Sequence, residues 1–259
     1  MKVIGVLINN ILLERRGKMK NVGVFFDIDG TLYRDSLMVE HFKRLIKYEV
    51  IDPAIWHNIA KSTFHDWDMR QGNYDNYLEE VSQIYLKTMK GLNRDHMDFI
   101  SNQVIHLNGD RVYRFTRDRI NWHKSQGHVV IFISGSPDYL VSKMAEKYGV
   151  ADYRGTEYKV DENNNFTGEI LQMWDSDSKH SAIMEFVEKY DIDLDKSFSY
   201  GDTNGDFSML QLVGNPIAIN PARELLQNIR NDRELRKKAT IIIERKDVIY
   251  KLTADVEFL

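Results

Sequence analysis

Two short acidic stretches of this sequence have the residue types that hold a divalent cation. One reads DIDGTL and contains Asp27 and Asp29, and the other reads GDTNGD and contains Asp202 and Asp206. Carboxylates that lie close together repel one another and need a positive charge to offset them. Because carboxylate oxygens suit a hard ion, we expect a Mg²⁺ site where the fold brings the two stretches together.

Groups suited to binding an anion stand between the two acidic stretches. The stretch FISGS contains Ser134 and Gly135, and Lys179 supplies a positive charge further along the chain. Each group taken alone has an ordinary alternative. Ser134 and Gly135 are compatible with a helix-capping loop, Lys179 with a solvated helix face, and Asp206 with a helix cap. Asp27 with the residues after it is compatible with a simple turn.

The hydrophobic pattern predicts the elements that position these groups. Apolar runs at 21–26 and 128–133 indicate buried parallel strands, and shorter strands are expected at 197–200, 216–219 and 241–243. Helical patterns alternate with them, which predicts an α/β fold built on a doubly wound parallel sheet. The carboxyl ends of such strands are where sites form, and the acidic stretches fall at those ends.

The chain between the first two strands has a different character. Residues 35–108 are rich in aromatic and charged side chains at helical spacing, which predicts an inserted all-helical domain. The α/β core is then expected to comprise residues 1–34 and 109–259. Within that core, residues 155–171 are expected to form two short strands around a turn.

Composition excludes several classes of function. The 259 residues include no Cys, so there is no disulfide, cysteine nucleophile or thiolate-bound metal. Thirty-five basic and 39 acidic residues give a net charge of −4, which disfavours nucleic acid as a partner. No apolar run is long enough to span a membrane, so we expect a cytoplasmic protein with no membrane partner.

The first eighteen residues resemble a signal peptide only superficially. Asn9 and Asn10 interrupt the apolar stretch, Arg15 and Arg16 follow it, and no small-residue cleavage site appears. We interpret residues 1–18 as upstream sequence and hypothesise that the natural start is Met19, the alternative being a short additional strand or helix.

The reactive stretches occur in the order found in the haloacid dehalogenase superfamily. DIDGTL, FISGS, Lys179 and GDTNGD resemble its four motifs, and the chain around 165–168 and 214–221 resembles the subgroup containing phosphoserine phosphatase. The resemblance covers about residues 20 to 245. It implies a Rossmann-like core with an inserted helical cap and a Mg²⁺-dependent phosphatase acting on a small phosphorylated metabolite.

The resemblance also implies roles for the acidic residues. Asp27 is the expected nucleophile, which forms an aspartyl-phosphate, and Asp29 is the expected general acid and base. Mg²⁺ is expected to bind the Asp27 side chain, the Asp29 backbone carbonyl and Asp202, with Asp206 as a ligand or support. This sequence has Gly205 at a position where members of the family often carry Asn or Ser.

The remaining motif residues are expected to bind phosphate. The resemblance assigns Ser134, Gly135 and Lys179 to the phosphoryl oxygens. Thr31 is grouped with them, and its hydroxyl is also expected to hold Asp29 by a hydrogen bond.

Substrate-binding positions of the subgroup are not matched. Phosphoserine phosphatases carry a glutamate nine residues after the nucleophile and an arginine in the cap, whereas this sequence has Ser36 at the first position and Val81 or Tyr85 at the second. A substrate carboxylate then lacks its bidentate partner unless Arg70 or Arg94 replaces it. Phosphoserine is therefore a poor candidate substrate.

Two other functions fit the same motifs. An enzyme of this fold that passes the phosphoryl group to an alcohol instead of water is one, and a non-catalytic module that binds a phosphorylated ligand is the other. The presence of both Asp27 and Asp29 favours catalysis, because binding alone has no use for an acid and base. The sequence does not indicate an oligomeric state.

Overall fold

The computed structural model describes residues 20–55, 65, 69, 71 and 74–257, and the side chains of residues 74–76 are outside the description. The hypothesis about the natural start concerns residues 1–18 and lies outside the described part of the chain.

A mixed sheet forms the centre of the described chain. Its strands are β1 (Gly23–Phe26), β2 (Val129–Pro137), β3 (Asp152–Val160), β4 (Phe166–Leu171), β5 (Phe198–Gly201), β6 (Asn215–Ile219), β7 (Thr240–Arg245) and β8 (Val248–Thr253). They lie side by side in the order β4-β3-β2-β1-β5-β6-β7-β8. The inner strands are parallel, and β4 and β8 are antiparallel to their neighbours at the two edges. The predicted doubly wound α/β fold is confirmed.

Helices connect the parallel strands. They are α1 (Leu37–Lys47), α2 (Pro53–Ile55), α3 (Tyr74–Met89), α4 (Arg94–Asn108), α5 (Arg114–Ser125), α6 (Asp138–Tyr148), α7 (Ser176–Tyr190), α8 (Phe207–Leu212), α9 (Arg223–Asn231) and α10 (Arg233–Lys238). No helix of the described chain is both long and apolar enough to cross a membrane. Helices α1 to α4 fall within residues 35–108, and the assignment of that stretch as a separate domain remains a prediction.

Strand β1 shows why the sheet has helices on both faces. All four of its residues are buried. Val24 and Phe26 pack into one hydrophobic cluster with side chains of α1, α5 and α6, whereas Phe25 packs into a second cluster with side chains of α7 and α8. Alternate residues of a strand point to opposite faces, so a continuous apolar run needs a cover on each side.

Three differences between the structure and the sequence predictions have an identifiable structural reason. Strand β2 continues past Ile133 to Pro137, because its pairing with β3 resumes after a register shift. The sequence after β6 predicts one final helix from about Pro221, but the structure divides it at Asp232, whose side chain accepts hydrogen bonds from the backbone N–H groups of Glu234 and Leu235 in α10. Strand β8 was not predicted; most of its residues are exposed at the sheet edge, and its apolar run is limited to Val248–Tyr250.

A buried polar chain connects three helices. The Tyr85 hydroxyl of α3 lies 2.7 Å from Nδ1 of His41 in α1 and 2.6 Å from the Tyr139 hydroxyl of α6. The ring of His41 also contacts the Met97 carbonyl, at 3.4 Å. Burial lowers the pKa of His41 from 6.5 to about 4. A neutral ring can accept from Tyr85 at Nδ1 and donate to Met97 from Nε2.

His41 is therefore expected to make stability depend on pH. Between pH 6.5 and about 4 the unfolded chain binds a proton at His41 that the folded chain does not, so the free energy of unfolding falls as pH falls. The contribution is about 1.4 kcal/mol per pH unit. We expect His41→Gln to make the fall less steep in urea denaturation between pH 7 and 5.

The matched control is His96→Gln, because His96 is exposed. It should retain the wild-type pH dependence. An equal slope in wild type and His41→Gln would show that His41 is not held neutral in the fold.

Candidate active site

Sheet neighbours bring the predicted groups together. Asp27 follows β1, and Asp202 follows β5, which pairs with β1 in parallel. Ser134 lies in β2, the partner of β1 on its other side. Because these three strands run in the same direction, their carboxyl ends meet at one edge of the sheet.

Three carboxylates and one ammonium form the centre of this edge. Oxygen atoms of Asp27, Asp202 and Asp206 lie within 4.8 Å of one another, and all three residues are buried. Lys179 reaches in from α7, where its Nζ donates to Oδ1 of Asp27 at 2.7 Å and to Oδ1 of Asp206 at 2.5 Å. The charge of one lysine does not balance three carboxylates.

The electrostatics of the cluster favour a further cation. Burial raises the pKa of Asp27 well above its usual value, and attraction to Lys179 opposes this. Burial and repulsion from Asp206 and Asp27 raise the pKa of Asp202. Burial lowers the pKa of Lys179, but attraction to Asp206 and Asp27 outweighs it and leaves that pKa raised. Buried oxygen donors with unbalanced negative charge fit a hard divalent ion such as Mg²⁺.

Hydrogen bonds fix the loop that carries Asp202. Oδ2 of Asp206 accepts from the backbone N–H of Asp202 at 2.9 Å and of Thr203 at 3.2 Å. The Thr31 hydroxyl donates to Oδ1 of Asp202 at 2.8 Å. The prediction that Thr31 holds Asp29 was therefore wrong, since the turn after β1 directs this hydroxyl toward the β5 loop instead.

Gly30 is required by a close approach. It has a φ of +79°, and a Cβ atom on it would collide with the carboxylate of Asp202. A side chain here would therefore meet an unfavourable backbone conformation and displace Asp202. The glycine of DIDGTL thus sets the spacing between the two acidic stretches.

Asp29 is oriented by two donors. Its Oδ1 accepts from the backbone N–H of Leu37 at 2.9 Å, and its Oδ2 accepts from the Ser136 hydroxyl at 2.5 Å. Loss of hydration raises the pKa of Asp29 to about 6, and the Ser136 hydrogen bond opposes the rise. Sequence analysis did not single out Ser136, although it is the last residue of FISGS.

The anion-binding candidates lie beside these acids. Ser134 is fully buried, and its Oγ accepts from the backbone N–H of Ser136 at 3.2 Å. Ser134, Gly135 and Lys179 all line the cavity that contains Asp27. The structure thus brings together residues that are more than 150 positions apart in the chain, as the Lys179–Asp27 contact shows.

The cavity has a volume of about 470 Å³. The acidic cluster and Lys179 form one part of its lining. Another part comes from the helical stretch, where α3 contributes Leu78, Glu79, Ser82 and Gln83. Trp174, which precedes α7, also lines the cavity, as do residues of the Asp202 loop and Ser36, Met38 and Tyr158.

The positions expected to bind the amino-acid part of phosphoserine, by resemblance to phosphoserine phosphatases, have other roles in this structure. Ser36 accepts from the Val39 backbone N–H at 3.4 Å and caps α1. Val81 and Tyr85 are buried. Arg94 pairs with Asp138 at 2.9 Å and does not line the cavity. The other candidate, Arg70, lies outside the described residues.

Comparisons with known proteins identify the family of this chain. A family model for haloacid dehalogenase-like hydrolases matches residues 24–211. A histidinol-phosphatase of Neisseria meningitidis is 21% identical over 233 residues, which are 88% of this chain and 100% of that protein. A phosphoserine phosphatase of Mycobacterium tuberculosis is 26% identical over 230 residues, 84% of this chain and 73% of that protein.

A solved structure has the same fold. It is a phosphoserine phosphatase with an analogue of a phospho-aspartyl intermediate, with a TM-score of 0.56 and 21% sequence identity. The match covers 88% of this chain and 96% of that chain.

The acidic cluster predicts stabilisation by Mg²⁺. Binding only to the folded state raises the free energy of unfolding, by about 2.7 kcal/mol at a hundredfold excess over Kd. We expect Mg²⁺ to raise the Tm of the wild type and Asp202→Asn to weaken Mg²⁺ binding about 10- to 100-fold. Differential scanning calorimetry over a range of Mg²⁺ concentrations measures both.

Asp247→Asn is the matched control, because Asp247 is exposed in the β7–β8 turn. It should retain the wild-type response. The same Mg²⁺ response in wild type and Asp202→Asn would contradict a cation site that includes Asp202.

Proposed function

The chain belongs to the haloacid dehalogenase-like hydrolase family, and from that premise we propose that it is a Mg²⁺-dependent phosphatase that hydrolyses a small phosphomonoester. The observation that carries the proposal is the buried Asp27 carboxylate, held 2.7 Å from Lys179 inside a cavity with a second acid, Asp29. The two relatives named as phosphatases support the same reaction class.

Asp27 is the nucleophile in this proposal. Its carboxylate oxygen forms a bond to phosphorus while the bond from phosphorus to the leaving oxygen breaks, giving an aspartyl-phosphate. Water then attacks phosphorus and releases inorganic phosphate and the free carboxylate. Because a carboxylate and a phosphate dianion repel each other, positive charge is needed at the site, and Lys179 supplies part of it.

The residues present fit a bound cation. Asp27, Asp202 and Asp206 would hold Mg²⁺, with the backbone carbonyl of Asp29 as a further ligand. When bound, the ion neutralises charge on the transferring phosphoryl group. Thr31 supports this site through Asp202, to which its hydroxyl donates a hydrogen bond.

Asp29 moves the protons. It donates one to the leaving oxygen and then takes one from the attacking water. A pKa raised to about 6 suits both steps better than that of an ordinary aspartate, because the group can be protonated and deprotonated near neutral pH. The hydrogen bonds from Leu37 and Ser136 hold the carboxyl group toward the cavity.

Ser134 and Gly135 bind the phosphoryl oxygens. The Ser134 hydroxyl is buried at the cavity wall, and a side chain on Gly135 would meet the Cβ atom of Trp174 at 2.8 Å. A hydroxyl that can donate a hydrogen bond, next to a glycine that leaves the backbone accessible, suits the binding of a compact phosphoryl group. Residues 35–108 act as the cap, since α3 supplies the wall that faces the organic part of the substrate.

Asp27→Asn tests the nucleophile. The amide is nearly isosteric but not nucleophilic, so kcat should fall by about a thousandfold or more. The measurement is release of inorganic phosphate from phosphorylated metabolites, including phosphoserine, with and without Mg²⁺. Equal release of phosphate and alcohol identifies water as the acceptor.

Asp247→Asn should retain wild-type turnover, and circular dichroism should show that both variants are folded. Undiminished hydrolysis by Asp27→Asn would rule out Asp27 as the nucleophile.

Ser136→Ala tests the orientation of Asp29. Loss of a hydrogen bond to a charged group costs about 1.5–3 kcal/mol, so we expect kcat to fall about tenfold or more while KM changes little. Because that hydrogen bond lowers the pKa of Asp29, its loss should also move the limb of the pH profile that reports Asp29 to higher pH.

Ser142→Ala is the control. The Ser142 hydroxyl donates to a helix carbonyl in α6 and does not line the cavity. An unchanged kcat and pH profile in Ser136→Ala would show that the Ser136 hydroxyl is dispensable.

A further inference from the structure

The part of the cavity away from the acidic cluster has an uneven charge. Among the described residues that line the cavity, Glu79 is the charged side chain that does not belong to the group of Asp27, Asp29, Lys179 and Asp202. Ser82 and Gln83, which follow it in α3, also line the cavity and are uncharged. Lys179 is the described cation of the lining, and its ammonium is bonded to Asp27 and Asp206. The region that faces the leaving group is therefore negative.

Glu79 is available to a ligand. Its backbone carbonyl accepts from the Ser82 hydroxyl at 2.8 Å, while its carboxylate has no ion-pair partner among the described residues. Glu79 lies in α3 between Leu78 and Ser82, which line the same cavity. A substrate carboxylate placed here would be repelled, whereas a cationic group would gain a partner.

Trp174 offers a second contact for a cation. It lines the cavity, is 42% exposed and has no ring or cation contact among the described residues. An accessible indole face attracts an ammonium or similar cation more strongly than other aromatic rings do.

Two glycines fix the position of Trp174. A Cβ atom on Gly135 would lie 2.8 Å from that of Trp174, and one on Gly205 would collide with the Trp174 carbonyl oxygen. Gly205 is one of the positions at which this sequence differs from the pattern expected of the family it resembles. The departure therefore makes room for the backbone of Trp174 beside the cavity.

We propose that the preferred substrate is the phosphate ester of an amino alcohol, with its cationic nitrogen paired to Glu79 and packed on Trp174 and no carboxylate at that end. The inference rests on the proposed phosphatase function. A cavity of about 470 Å³ has room for a phosphoryl group and a small organic group together. The substrate is then dipolar, with its anionic end at Lys179 and its cationic end at Glu79.

A matched series of esters tests this inference. The probes are aminopropyl phosphate, hydroxypropyl phosphate and phosphooxypropanoate, which share the phosphate and the chain length and differ in the terminal group. We expect kcat/KM of the wild type to be about tenfold higher for the amino ester than for the hydroxy ester, and lowest for the carboxylate ester.

Substitutions at Glu79 assign the preference to this side chain. Glu79→Gln should reduce the ratio of kcat/KM between the amino and hydroxy esters to near one, and Glu79→Lys should favour the carboxylate ester over the amino ester. Glu188→Gln is the control, because Glu188 is exposed on α7 and does not line the cavity, and it should keep the wild-type ratio.

Hydrolysis of para-nitrophenyl phosphate separates the two possible failures. If the wild type hydrolyses this ester but shows no amino preference, or if the preference persists in Glu79→Gln, the inference is overturned and the phosphatase function stands. If the wild type hydrolyses none of the esters with Mg²⁺ present, the phosphatase function fails and the inference fails with it.

Discussion

Repulsion among the buried carboxylates is the constraint on which the site depends. Oxygens of the buried residues Asp27, Asp202 and Asp206 are gathered within 4.8 Å of one another, beside the ammonium of Lys179. Such a group is unfavourable unless the fold holds it firmly, because each charge loses hydration and repels the others. The sheet provides that support. Adjacent parallel strands place Asp27 and Asp202, and helix α7 places Lys179 between Asp27 and Asp206.

Neutral groups share the work of holding the acids. Backbone amides of the Asp202 loop bond to Asp206, and Thr31 bonds to Asp202 across the gap between the two acidic stretches. Gly30 permits this approach because it has no side chain to displace the carboxylate. The compact turn after β1 thus brings Asp27 and Asp202 close together, and this closeness concentrates the negative charge of the cluster.

Much of this arrangement was predictable from sequence, because it depends on local signals. The continuous apolar runs identified the inner strands, and the acidic stretches after them indicated which strand ends carry the site. Interactions set by side-chain direction were not predictable. The hydroxyl of Thr31 contacts Asp202 and not Asp29, and Ser136 contacts Asp29, because the geometry of two turns decides which partner is within reach. Strand β8 was missed because it is a largely exposed edge strand with an apolar run of only three residues, Val248–Tyr250.

The hydrogen bonds that link His41, Tyr85 and Tyr139 limit how freely residues 35–108 can be exchanged with the corresponding stretch of a related protein. Tyr139 belongs to the helix that follows FISGS, whereas its partners belong to α1 and α3. A chimaera in which residues 35–108 are replaced by those of a relative would bury the Tyr139 hydroxyl without a partner, at a cost of about 1–3 kcal/mol, unless the replacement supplied an acceptor there. The three positions of this hydrogen-bonded group are therefore expected to have diverged together.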